Sequence, residues 1–158
     1  MSTADEIMFV RKAREADLGD VLRFYAQPEI DDGVVLPMDE ASAIFAQFSA
    51  YPHYKLYVVE RGKKVIGSYA FLVMHNLGHL GAPSAIVEDV VVAPECQGQG
   101  VGRLMMQHAM QCARMAGCYK LVLSSNAKRE RAHEFYEKIG FERHGYSFIV
   151  RLDREGTP

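Results

Sequence analysis

Gln97-Gly98-Gln99-Gly100-Val101-Gly102 follows the apolar run Ile86 to Val92 and opens directly into a helix-patterned segment, Arg103 to Ala116. A strand, a glycine-rich turn and a helix start, in that order, decide the fold. The first N–H groups of a helix have no intrahelical partner and lie at the positive end of its dipole, so phosphate oxygens can be held there. Glycines at 98, 100 and 102 remove side chains that would keep an anion at a distance. Glycines before a helix also serve as plain caps and turns, so the spacing has to be compared with known phosphate loops. A Walker loop needs Gly-Lys-Ser/Thr after four intervening residues, and the chain has none. The dinucleotide fingerprint reads G-x-G-x-x-G, whereas this turn reads G-x-G-x-G and has no βαβ unit before it. Both nucleotide folds are disfavoured.

Upstream of the turn, Ser84 to Val92 is the most strand-like run in the chain, and Pro94 stops it. Lys55 to Glu60 and Lys64 to Met74 are rich in β-branched and aromatic residues, and Arg61-Gly62-Lys63 joins them as a tight hairpin. His75 to Pro83 reads as a loop. Ile7 to Arg11 alternates as a short first strand, and Asp17 stands where a helix cap belongs, ahead of Leu18, Val21, Leu22 and Tyr25. Pro28 to Pro37, with Asp31-Asp32-Gly33, reads as a loop, after which Asp39 caps a helix carrying Ile44, Phe45 and Phe48. Downstream, Val101, Leu104, Met105, Ala109, Cys112 and Ala116 share one helix face, and Gly117 ends it. Tyr119 to Ser124 is expected as a strand, Arg131 to Ile139 as a helix ended by Gly140, and Tyr146 to Leu152 as a final strand. This is α+β architecture with a mixed sheet.

A length of 158 residues points to one domain, residues 1–158, with room for a sizeable core. A net charge of −2 with both signs interspersed offers no general attraction to nucleic acid or an anionic membrane, so small molecules are the expected partners. Cys96, Cys112 and Cys118 are odd in number and lack C-x-x-C spacing, which speaks against a disulfide framework or zinc site and for a reducing, cytoplasmic setting. His75 and His79 are four apart, but their glycine-containing loop argues against a helical metal pair, and no metal is expected. Met1 to Glu6 is polar and acidic, unlike a secretory signal.

The glycine turn, preceded by Val87-Glu88-Asp89-Val90-Val91-Val92-Ala93-Pro94 and followed by Phe135-Tyr136-Glu137-Lys138-Ile139-Gly140-Phe141, resembles the GNAT superfamily of acyl-CoA-dependent N-acyltransferases in motif order and spacing. The specific motifs cover roughly residues 55 to 152. Within that superfamily, Val87 to Val90, Gly117-Cys118-Tyr119-Lys120 and Phe135 to Lys138 are similar to the glucosamine-6-phosphate N-acetyltransferases. Ser124-Ser125-Asn126-Ala127-Lys128-Arg129 and the Ala132-His133 stretch are similar to the bacterial aminoalkylphosphonate N-acetyltransferases.

The resemblance implies a mixed, mostly antiparallel sheet of about seven strands, splayed between strands 4 and 5 and flanked by about four helices. Acetyl-CoA would enter the opening, its pyrophosphate on Gln97, Gly98, Gln99, Gly100, Val101, Gly102 and Arg103, and its pantetheine arm along the backbone of Val90, Val91 and Val92. It also implies a homodimer, since many relatives are dimers. An alkylammonium has a pKa of about 10 and must lose a proton before its nitrogen can attack a thioester. Glu88 is the implied base, directly or through a water, with Val90 and Val92 expected beside it on one strand face at period two. The alternative is a rim carboxylate that only attracts the ammonium. Asp89 is expected on the other face, in a structural role.

The departing thiolate needs a proton, and the resemblance gives Tyr136 that task; the alternative is a core aromatic. N–H groups near Val90 or Val91 would hold the developing oxyanion. The familiar asparagine seven residues before the tyrosine is replaced by Arg129, leaving Asn126 three positions earlier as a candidate cofactor contact, with Lys128, Arg129 and Arg131 as candidates for the 3′-phosphate. Tyr25, Asp31, Asp32 and His53 lie where family acceptor sites lie. Acidic residues there suit a cationic amine, while a phosphorylated acceptor would want Arg143, His144 or Arg151 nearby, and the sequence leaves this open. A protein N-terminal or lysine acetyltransferase, and an acyl-CoA sensor without turnover, are the competing readings.

Overall fold

The computed structural model describes residues 7–28 and 30–152. Met1 to Glu6, whose polarity bears on targeting, lie outside the described residues. Contacts divide the chain into two compact units, 1–123 and 124–158.

The first unit is built on a sheet of five strands in the order β1-β2-β3-β4-β5. β1 (Phe9–Lys12), β2 (Tyr54–Arg61), β3 (Lys64–Met74) and β4 (Ser84–Val92) form an antiparallel meander, and β5 (Leu121–Val122) adds in parallel to β4. The β2–β3 connection is the expected tight hairpin, with Gly62 and Lys63 at φ 56° and 62°, the left-handed pair that matches strand twist. Helices α1 (Leu18–Tyr25) and α2 (Met38–Phe48) cover the face that carries Leu56 and Ala70. Helix α3 (Val101–Met115) covers the opposite face, where the His108 ring meets Tyr57 and Tyr69 and its Nδ1 lies 2.6 Å from the Tyr69 hydroxyl. Burial lowers the His108 pKa, so the ring is neutral beside a fully buried phenol. Val58, Val59, Val87, Met105 and Met106 fill the core between these layers.

Asp17 stands at the cap position of α1 as expected, but its carboxylate does not cap that helix. It accepts two bonds from the Arg11 guanidinium, at 2.7 and 2.9 Å, and one from the Arg14 N–H at 2.7 Å. Glu60 on β2 holds the same guanidinium at 3.1 Å, so β1, β2 and the start of α1 are tied through one arginine. Asp39 falls inside the first turn of α2, whose cap residue is Pro37.

Among the described residues five strands form where about seven were expected. The strand expected from Tyr119 to Ser124 shrinks to Leu121–Val122; just before it, the Tyr119 N–H donates to Pro83 O and Lys120 O accepts from the Ala85 N–H. Tyr146 to Leu152 keeps its alternating apolar pattern yet pairs with nothing among the described residues, and Tyr146, Phe148, Ile149, Val150 and Leu152 are exposed. Alternation makes a segment fit for a sheet, but a strand exists only where an edge accepts its backbone bonds. In the second unit, α4 (Glu130–Lys138) ends at Gly140, where the Phe141 N–H reaches back to Tyr136 O. Among the described residues no helix is long and apolar enough to cross a membrane.

Candidate active site

β4 and β5 pair only at Ala85–Leu121 and Ile86–Val122, then part. From Val87 onward β4 is bonded to β3 on one side, and among the described residues no strand takes the other edge. This is the splay expected between strands 4 and 5. It leaves main-chain donors and acceptors of Val87 to Val92 for an extended ligand, save that Val92 O accepts a bond from the Gln27 side chain at 3.0 Å.

A β-bulge interrupts β4 at the residues that matter most. Ala70 faces Glu88 and Ser68 faces Val91, so Asp89 and Val90 together oppose Tyr69. Asp89 takes φ 52°, a left-handed conformation that aspartate tolerates better than most residues. The extra residue shifts the phase of the strand. Glu88 therefore shares its face with Val91, not with Val90 and Val92 as period two predicts, because directly opposed residues of an antiparallel pair lie on one face. That face is the one under α1 and α2. Asp89 also reaches it, lining a cavity there, so its expected assignment to the opposite face is corrected by the same bulge.

The cavity holds about 140 Å³ and is walled by Leu18, Val21, Leu22, Phe45, Phe48 and neighbouring apolar groups, with Tyr25, Asp31, Tyr54 and Asp89 as its polar members. Burial raises the Asp89 carboxyl, and the negative charge of Asp31 raises it further. Glu88, exposed at the border, is also raised, by burial and then by Asp89. Both charges reach Tyr54, whose phenol is pushed up by burial, Asp89 and Glu88 in turn. Glu88, Asp89, Asp31 and Tyr54 thus form one electrostatic neighbourhood.

At the far end of β4 the chain runs through a short 3₁₀ turn, Pro94–Cys96, into the glycine segment. Gly98 and Gly100 take φ 75° and 86°, and a side chain added at either would meet open space. Gly100 caps α3 and brings no side chain to bond the first-turn N–H groups of that helix. A turn with open space above it and uncapped donors beneath it fits a diphosphate. Two side chains not anticipated from sequence converge on it. Arg61, at the end of β2, donates to Gln99 Oε1 at 2.8 Å and to Cys96 Sγ at 3.4 Å, and Gln27 accepts from Gln97 Nε2 at 3.2 Å. Arg61 carries no local sequence signal, because only the hairpin register brings it beside the turn.

In the second unit, Tyr136 packs against Phe135 and Phe141, at 5.2 and 5.7 Å between ring centroids. Burial raises its phenol, opposed by the positive charge of Arg129. Asn126 turns inward on its own segment, its Oδ1 accepting from the Lys128 N–H at 2.9 Å and its carbonyl lying 2.8 Å from the His133 ring. Beside it the Ser125 hydroxyl is buried without a hydrogen-bond partner among the described residues. Arg131 lies exposed in the first turn of α4. His75 and His79 have separate ring partners, His53 and Tyr119 respectively.

This combination, an opened sheet edge leading into an uncapped glycine turn, coincides with a family match: the model of the Acetyltransferase (GNAT) family matches residues 21–141. The chain belongs to the GNAT acetyltransferase family. Over 90 residues it is 33% identical to the glucosamine 6-phosphate N-acetyltransferase of Trypanosoma brucei brucei, covering 57% of this chain and 58% of that one. Over 100 residues it is 32% identical to the aminoalkylphosphonate N-acetyltransferase of Salmonella typhimurium, covering 63% of each. The chain therefore spans 58% and 63% of the length of these two GNAT relatives. A solved acetyltransferase-family structure from Agrobacterium tumefaciens superposes with a TM-score of 0.84 at 31% identity, over 91% of this chain and 99% of that one.

Proposed function

We propose that this GNAT protein moves an acetyl group from acetyl-CoA to the primary amine of a small molecule by direct attack. The observation that carries the reading is the edge of β4, unpaired beyond Ile86 and continuous with the uncapped turn at Gly98 and Gly100. Acetyl-CoA supplies the acetyl group as a thioester. Backbone groups of Val90, Val91 and Val92 pair with its extended arm, and the N–H groups from Gln97 to Arg103, with Arg61 close by, take its diphosphate. Asn126 and Arg131 are assigned to the remainder of the cofactor; the partnerless Ser125 hydroxyl beside Asn126 supports a polar contact in that stretch.

Glu88 accepts a proton from the acceptor ammonium, directly or through one water. Burial and the neighbouring Asp89 raise its carboxyl, which makes it a better base than a free glutamate. The neutral nitrogen attacks the acetyl carbonyl, the C–N bond forms and the C–S bond breaks. Tyr136, kept protonated by burial, gives its proton to the departing sulfur. Two protons leave the nitrogen in all; one restores Tyr136 and the other passes through Glu88 to solvent, so amide, free thiol and one proton result.

The protein acts as a homodimer in the cytoplasm, without nucleic acid or membrane; the free thiols of Cys96, Cys112 and Cys118 support the compartment, and the exposed apolar row from Tyr146 to Leu152 supports a partner. Release of CoA thiol with a panel of small amines tests the reaction. Tight CoA binding with no turnover of any amine refutes it and leaves a sensor; turnover of peptides alone leaves a protein acetyltransferase.

A further inference from the structure

We infer that the acceptor is a cationic amine whose body is a compact apolar group, of the phenylalkyl or short branched-alkyl kind, and carries no phosphate or phosphonate; this rests on the acetyl-transfer reading above. The cavity beside the β4 bulge carries the inference. An apolar cavity of about 150 Å³ takes a benzene-sized guest, and this one holds about 140 Å³ between α1, α2 and the sheet. Leu18, Leu22, Phe45 and Phe48 give it walls that reward an apolar body. Its only charged lining groups among the described residues are Asp31 and Asp89. Two carboxylates facing one another gain by taking an ammonium between them, and the raised Asp89 carboxyl shows the two already repel. A phosphate in the same space would be an anion facing two others with no cation in the lining to pair it.

The bulge gives the inference its geometry. It turns Glu88 to the same side of β4 as Asp89, which lines the cavity, so the carboxylate assigned to remove the proton is the immediate chain neighbour of the one that draws the ammonium in. Cations do occur elsewhere on this unit. Lys12 and Lys55 line a separate, wider hollow of about 390 Å³ with His53, on the other side of Phe45, Phe48, Tyr54 and Leu56, and that hollow includes no residue of β4. Amines bearing phosphate would have to span those walls to reach both the lysines and the carboxylates.

Four amines discriminate: 2-phenylethylamine, isopentylamine, glucosamine 6-phosphate and 2-aminoethylphosphonate. Each is titrated into the CoA-saturated protein by calorimetry and assayed separately for thiol release from acetyl-CoA. The apolar amines bind, and are turned over with a kcat/KM at least tenfold above either phosphorus-bearing amine. Asp89→Asn and Asp31→Asn, which change charge and not size, each weaken 2-phenylethylamine binding at least fivefold and leave CoA binding unchanged. Preference for a phosphorus-bearing amine, weakened by Lys12→Ala or Lys55→Ala, overturns the inference while acetyl transfer stands. Binding of the apolar amines without thiol release from any amine refutes acetyl transfer and with it their role as acceptors, while the cavity's ligand class stands. Failure of the apolar amines to bind at all overturns the inference whatever the turnover.

Discussion

Burial keeps the Tyr136 phenol protonated, as a proton donor must be, and strengthens the Glu88 carboxylate as a base. The Glu88 carboxyl is raised by burial and by Asp89, so on the acid side kcat/KM falls as pH drops through a pKa above the ordinary glutamate value of about 4.3. Glu88→Gln removes the base. Its kcat/KM is expected to fall about 100-fold near neutral pH and to recover toward pH 10, where the amine loses its proton unaided. A pH–rate profile superimposable on the wild type's would remove Glu88 from the role. Tyr136→Phe is expected to lower kcat at least tenfold with little change in the KM for acetyl-CoA, since the hydroxyl acts only as the C–S bond breaks. An unaltered kcat would make the ring a packing residue among Phe135 and Phe141. Asp89 shows the limit of reading residues singly. Composition identified an acidic pair at 88 and 89, but the side each one faces depends on a bulge that no periodicity within β4 announces, because its cause is the pairing with Tyr69 on another strand.

Elements position what residues perform. The turn between β4 and α3 was legible because its signal is local: glycines where left-handed angles are needed, directly after a strand and before a helix. Arg61 was not legible, since it reaches the turn only through the register of the β2–β3 hairpin, and its bonds to Gln99 and Cys96 span more than thirty residues of chain. Arg61→Ala is expected to raise the KM for acetyl-CoA roughly three- to tenfold, more at low ionic strength, with kcat nearly unchanged, as befits a half-buried charge near the surface acting on a phosphate. Steady-state kinetics at two salt concentrations checks this, and a salt-independent KM equal to the wild type's would exclude the contact. Tyr146 to Leu152 marks the opposite case: a strand-like local pattern that pairs with nothing among the described residues, since alternation alone supplies no partner edge.

At the scale of the whole molecule, the antiparallel meander and its two helical layers followed from alternation, helix spacing and breakers, while long-range ties did not. The cluster of Arg11, Asp17 and Glu60 is one such tie. Bonds from Arg11 and then from the Arg14 N–H hold the Asp17 carboxyl below its usual value, so Asp17 adds stability that is fully present above about pH 4 and is lost as pH falls further through its depressed pKa. Asp17→Ala leaves a half-buried guanidinium short of a partner and is expected to cost about 2 kcal/mol at pH 7 and less at pH 3. Urea denaturation at the two pH values measures the difference, and an equal loss at both would mean the effect is packing alone.

The bulge at Asp89 and Val90 divides β4 into two stretches of opposite parity. Counting from the start of the strand, odd and even positions exchange inside and outside at that point. Deleting a single residue there would restore an ideal ladder, yet it would turn either Val91 and its followers or Glu88 and its predecessors to the wrong layer. The imperfection in the ladder is thus what lets a strand with buried residues on both sides of it carry two adjacent acids on one side within nine consecutive residues.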